Sequence, residues 1–98
     1  MIRHVLLLHW KPEATTDQRE AALNGFQEIG DGIPQIRALT VQTDAGSAKG
    51  NADLLVTMDF DDIEAWHAYQ DHPAHRALIE KVLRPILAQR TAIQVTSP

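Results

Sequence analysis

The apolar positions of this chain switch between a period of two and a helical period. Ile2 to Trp10 is a short, β-rich run that ends at Lys11-Pro12 and reads as a strand. Alternation places Ile2, His4, Leu6, Leu8 and Trp10 on one face, and Arg3, Val5, Leu7 and His9 on the other. Both faces are apolar in the middle, so something must cover the second face too. Thr15 and Gln18 have capping-box spacing, and Ala22, Leu23, Phe26 and Ile29 then form one helical stripe. Gly30-Asp31-Gly32, with Pro34 soon after, stops that helix. A second strand runs from Ile36 to Thr43, with Leu39 and Val41 on one face and Ile36, Ala38 and Thr40 on the other. Asp44 to Asn51 is small, polar and glycine-bearing, as a surface loop is. Asp53 to Phe60 is a third strand, pointing Leu54, Val56, Met58 and Phe60 inward.

The second half repeats the theme. Asp61 to Glu64 has capping-box geometry with Asp61 as the cap, and Ile63, Trp66 and Tyr69 share a helical face. That helix should end near Asp71-His72, because the residue before a proline avoids the α conformation. Pro73 suits the first turn of a new helix, which Leu78, Ile79, Val82 and Leu83 continue until Pro85. Thr91 to Thr96 is the final strand, with Ile93 and Val95 on one face.

This order predicts an α+β, ferredoxin-like protein: a four-stranded antiparallel sheet with helices on one face. The uncovered face would carry Val5, Leu7 and Leu55, with either Leu39 and Val41 or Ile36 and Ala38. An apolar patch of that kind marks an association surface. Burying it against a second copy predicts a homodimer, a dimeric α/β barrel with the helices outside.

Composition narrows the function classes. Ninety-eight residues predict a single domain spanning 1–98. The absence of cysteine excludes a disulfide scaffold, a thiol nucleophile and a cysteine-type zinc site. Nine basic against 13 acidic residues, a net charge of −4, argues against nucleic-acid binding. The longest apolar run, Val5-Leu6-Leu7-Leu8, is far short of the roughly 20 residues a membrane helix needs. It is also too short, and bounded by His4 and His9, for a secretion signal, so a cytoplasmic location and no membrane partner are expected.

Five histidines are the first candidates for chemistry, and three lie in Trp66-His67-Ala68-Tyr69-Gln70-Asp71-His72-Pro73-Ala74-His75. His72 and His75 are three apart, as some metal ligands are, but the proline between them sets a helix boundary and no third ligand beyond Asp71 is near. No metal and no cofactor is expected, and His72 is read as a cap of the following helix. His75 can share the inward face of Leu78 and Ile79, Tyr69 lies on the inward stripe with Trp66, and His4 lies among Leu6 and Leu8. The chain therefore allows two histidines and a phenol to converge in an apolar pocket. There an imidazole can accept a proton, and a phenol can stabilise a developing oxyanion. The alternative is that all three are hydrogen-bonded core groups. His9 and His67 are assigned no role, and Trp10 and Trp66 suit packing.

The Ile2–Leu8 strand with Lys11-Pro12, Gly32-Ile33-Pro34, Phe60-Asp61-Asp62 and above all Tyr69-Gln70-Asp71-His72-Pro73-Ala74-His75 resemble the stress-responsive dimeric α/β barrel (Dabb) proteins over nearly the whole chain. The resemblance implies a ferredoxin-like protomer and a homodimeric barrel. One branch of the family is a plant polyketide cyclase that performs a cofactor-free aldol condensation with a tyrosine and a histidine. Those fall on Tyr69 and His75 here, and a strand histidine falls on His4. A further pocket histidine of that branch is Leu54 in this chain, and of its first-helix aromatics Phe26 is kept while the neighbouring position is Leu23.

Two functions stand side by side. In one, the dimer binds a small apolar ligand lined by Leu6, Leu8, Leu23, Phe26, Trp66 and Leu78. In the other, it is a cofactor-independent cyclase or isomerase, with His75 as general base, Tyr69 as acid or oxyanion stabiliser and His4 orienting them.

Overall fold

The alternating residues of Ile2–Trp10 become β1, a central strand buried along its His4, Leu6, Leu8 and Trp10 side. In the computed structural model, which describes residues 1–96, it is followed by α1 (Thr16–Gly32), β2 (Ala38–Thr43), β3 (Leu54–Phe60), α2 (Ile63–Asp71), α3 (Pro73–Leu78), a π-helical turn (Ile79–Leu83) and β4 (Leu87–Thr96). The strands lie in the order β2-β3-β1-β4 with every neighbouring pair antiparallel. The fold is ferredoxin-like, as the element order predicts. No helix of the described residues is long and apolar enough to cross a membrane.

Local chemistry sets most boundaries. The Thr15 hydroxyl accepts from the Gln18 amide at 3.1 Å, and the Gln18 side chain accepts from the Thr15 amide at 2.9 Å, which closes the capping box of α1. The cap of α2 is Asp62, not Asp61: its carboxylate accepts from the Ala65 amide at 2.8 Å. Asp61 instead pairs with Arg37 at 2.9 Å. His72 ends α2 and caps α3, its Nδ1 accepting from the Ala74 amide at 3.1 Å, with Pro73 at the first helical position.

Two strands differ from expectation by more than one residue. β2 starts at Ala38, because Ile33–Ile36 closes a turn through an Ile36 amide to Ile33 carbonyl bond of 3.1 Å. β4 starts at Leu87, four residues before the expected Thr91. Ala88-Gln89-Arg90 has no apolar alternation, so its strand character comes from pairing with β1: Arg90 lies opposite Leu8 and Gln89 opposite His9, with a register irregularity before Leu87 and Trp10 meet.

The helices cover one face. Phe26, Ile29 and Ile33 share one buried cluster with Leu54, Val56, Met58 and Phe60 of β3 and Leu6 and Leu8 of β1. A methyl group at Gly25 would collide with the Leu78 side chain, and one at Gly30 would come within 2.5 Å of Leu39, so these glycines let α1 settle onto α3 and β2. On the opposite face β2 resolves the choice the sequence left open. Leu39 and Val41 lie opposite Met58 and Val56 and turn inward, so Ala38, Thr40 and Gln42 are on the bare side, while Ile36 is buried ahead of the strand. The bare apolar surface is Val5, Leu7, Leu55, Ile93 and Val95, with Leu7 40% and Ile93 57% exposed.

Candidate functional site

Two histidines are buried in the apolar core, His4 at 1% and His75 at 7% exposed. Buried imidazoles need partners, and each has one. The Gln94 side-chain amide, from the register neighbour of His4 on β4, donates to His4 Nδ1 at 2.8 Å. That acceptor role leaves Nε2–H as the free donor of the His4 ring. His75 Nδ1–H donates to the Gln70 carbonyl at 3.2 Å, across the break between α2 and α3. Its Nε2 lone pair has no partner among the described residues. The two rings thus present opposite functions: one a donor, the other an acceptor.

Tyr69 sits between them. Its ring centroid is 4.2 Å from that of His75, 6.0 Å from His4 and 5.2 Å from Phe60. Its hydroxyl is buried and has no hydrogen-bond partner among the described residues. A buried hydroxyl left in this condition costs on the order of 1–3 kcal/mol. The trio is therefore not a closed network of hydrogen-bonded core groups.

All three line a cavity of about 450 Å³. Its floor is His4, Leu6 and Leu8 of β1 with Leu87 and Arg90 of β4. Its roof is Phe26 of α1, Leu78 of α3, and Ile79, Leu83 and Arg84 at the π-helical turn; Gln70 completes the wall. The π turn is closed by the Arg84 amide donating to the Ile79 carbonyl at 2.8 Å, and such widened turns recur at functional sites.

Burial dominates the electrostatics. Desolvation pushes the His4 imidazole down to about 4, with the positive charge of Arg90, and that of His75 once it is protonated, acting in the same direction. Desolvation also lowers His75, against the Gln70 carbonyl, which favours its protonated form; Arg90, Arg76 and His72 add to the lowering. The Tyr69 phenol is raised by burial, against the opposing pull of Arg90. At neutral pH the cavity holds two neutral imidazoles and a neutral phenol.

The structure brings His4, Tyr69, His75, Leu6, Leu8, Phe26 and Leu78 to one cavity. It does not bring Leu23 or Trp66. Leu23 faces a separate hollow beside Trp10, Arg19 and Asp53, because it lies one residue round the helix from the buried Ala22. Trp66 packs edge-on against His4, centroids 5.9 Å apart, and stops short of the cavity. Sequence reasoning missed Arg90, Arg84 and Gln70. Arg90 was hidden by the unexpected early start of β4, whose pairing with Leu8 turns it to the helix side. The Pro85 disturbance is the one signal that pointed toward Arg84.

The model of the stress responsive A/B barrel domain family, Dabb, matches residues 2–97. The chain belongs to this family. Among solved structures, this Dabb chain is similar to a dimeric ferredoxin-like protein of unknown function from Thermobifida fusca. The two are 36% identical with a TM-score of 0.88, over 98% of this chain and 90% of that one. A Dabb family protein from Mesorhizobium loti with a ferredoxin-like fold is 22% identical, TM-score 0.84, over 99% and 96% of the two chains. A hydroxynitrile lyase from Passiflora edulis is 12% identical, TM-score 0.84, over 99% and 96%, a likeness of fold alone. No curated protein matches the chain.

Proposed function

We propose that this Dabb protein is a homodimer whose protomers each bind a small, mainly apolar ligand between helices and sheet. The observation that carries the reading is the cavity itself. Its roughly 450 Å³ falls in the range of small-molecule sites, its walls are mostly leucine, isoleucine and phenylalanine, and three polar atoms there have no protein partner or only one side satisfied. The His4 Nε2–H and Tyr69 hydroxyl suit a ligand carbonyl, and the His75 Nε2 suits a ligand hydroxyl. Native mass spectrometry of protein purified from its own host tests this. The expected result is a dimer carrying a small molecule that is lost from Leu87→Phe, which fills the cavity. Retention of the same molecule by that variant would contradict the site.

The same atoms favour a second reading, a cofactor-independent cyclase or isomerase. His75 Nε2 would take a proton from carbon beside a carbonyl, the negative charge would move onto the carbonyl oxygen, and Tyr69 and His4 would hold that oxygen before the proton is returned. Its test is turnover: His75→Ala should lose about 10²-fold or more, as removal of a general base does, and Tyr69→Phe should fall with it. Unchanged turnover in both would leave binding alone.

A further inference from the structure

Arginine pairing in this protein has one exception. Arg3, Arg19, Arg37, Arg76 and Arg84 each lie within 4.0 Å of a carboxylate: Asp59, Asp53, Asp61, Asp71 and Glu80 respectively. Arg90 pairs with no carboxylate among the described residues, although the chain carries 13 acidic residues against nine basic ones. The unpaired guanidinium also belongs to the cavity. Arg90 is exposed yet lines the space shared by His4, Tyr69 and His75, which puts it at the mouth. Arg84, the other arginine there, is only loosely engaged with Glu80 at 4.0 Å. Among the described residues no aspartate or glutamate lines the cavity.

An apolar hollow with two arginines and no carboxylate favours one class of occupant. A guanidinium offers a planar fork of donors that matches a carboxylate in two parallel bonds. We infer that the ligand is an anionic apolar molecule, an organic acid whose carboxylate is held by Arg90 at the mouth while its hydrocarbon body lies against Leu6, Leu8, Phe26 and Leu78. The inference deepens the binding reading and rests on it. It gives the site a direction: the charged end faces β4 and the π turn, and the apolar end runs inward past the histidines. A field of this sign also opposes protonation of the two imidazoles, which agrees with the lowering that Arg90 imposes on both.

Decanoate and 1-decanol, equal in chain length and different in charge, serve as probes in calorimetric titrations of the whole protein. Decanoate should bind about tenfold or more tightly than decanol, the scale of one charge-assisted interaction. The preference should shrink as salt is raised, since Arg90 is open to solvent. Arg90→Gln should abolish the preference for decanoate over decanol, while Arg37→Gln, on a paired surface arginine, should keep it. Equal affinities for the two probes in the native protein, or a preference that survives Arg90→Gln, would overturn the inference and leave the apolar cavity standing as a binding site. Binding of neither probe would overturn the inference together with the binding reading.

Discussion

At the residue scale, His4 makes the sharpest statement about pH. Its folded value of about 4 lies below the roughly 6.5 of an unfolded histidine. Between those values the unfolded chain takes up a proton that the folded chain refuses. The stability tied to a neutral His4 is therefore complete above about pH 6.5, drains away as pH falls toward 4, and changes no further below. His75 is lowered as well and acts with the same sign. Allowing for water in the adjoining cavity, the His4 contribution is on the order of 2 kcal/mol. His4→Asn keeps an acceptor for the Gln94 amide and removes the titration. Urea denaturation at pH 7 and pH 4.5 should show the native protein losing about 2 kcal/mol more than the variant; parallel losses would contradict a neutral, buried His4. Tyr69→Phe makes a separate point. The hydroxyl has no protein partner among the described residues, so its removal should stabilise the fold by about 1–3 kcal/mol while weakening ligand binding. A large loss of stability would mean that the phenol is structural.

At the element scale, the seat of α1 decides the height of the cavity roof. Gly25→Ala gains about 1 kcal/mol of helix propensity but drives a methyl group into Leu78, and overpacking of a filled contact costs about 1–3 kcal/mol. A net loss near 1 kcal/mol is expected in thermal denaturation. Gly32→Ala meets nothing within 4 Å and should be neutral or stabilising by about 0.4–1 kcal/mol. If both variants shift alike, the close approach of α1 to α3 is wrong. Elements whose signals are local were legible in the chain: the Thr15–Gln18 box, the His72-Pro73 break and the alternation of β1 and β3 all lie where the pattern puts them. Those that depend on a distant partner were not. The first residues of β4 form a strand because β1 runs beside them, and the inward face of β2 is fixed by β3. For the same reason His4, Tyr69 and His75 were legible as inward-facing, whereas Arg90, in a polar stretch, gave no hint of the cavity it lines. Leu23 shared the helical stripe of Phe26 but not its angle to the sheet, a distinction that spacing alone does not draw.

At the scale of the whole molecule, the proposed function assigns the two faces of the sheet separate duties. The bare face, with Val5 opposite Ile93 and Leu7 opposite Leu55, suits a second copy, while the covered face holds the cavity. Ile93→Glu places a charge on that surface, and sedimentation should show a monomer, with the circular dichroism spectrum preserved, where a dimer is expected of the native protein. A native protein that sediments as monomer would contradict the dimer. Separation of duties is most directly tested by methyl and imidazole NMR during titration with neutral 1-octanol, a probe indifferent to the charge of Arg90. Binding at the cavity predicts shifts confined to His4, His75, Leu6, Leu8 and Leu78, with Leu7 and Ile93 unmoved. Shifts confined to Leu7, Ile93 and Val95, with both buried imidazoles silent, would contradict a ligand site beneath the helices.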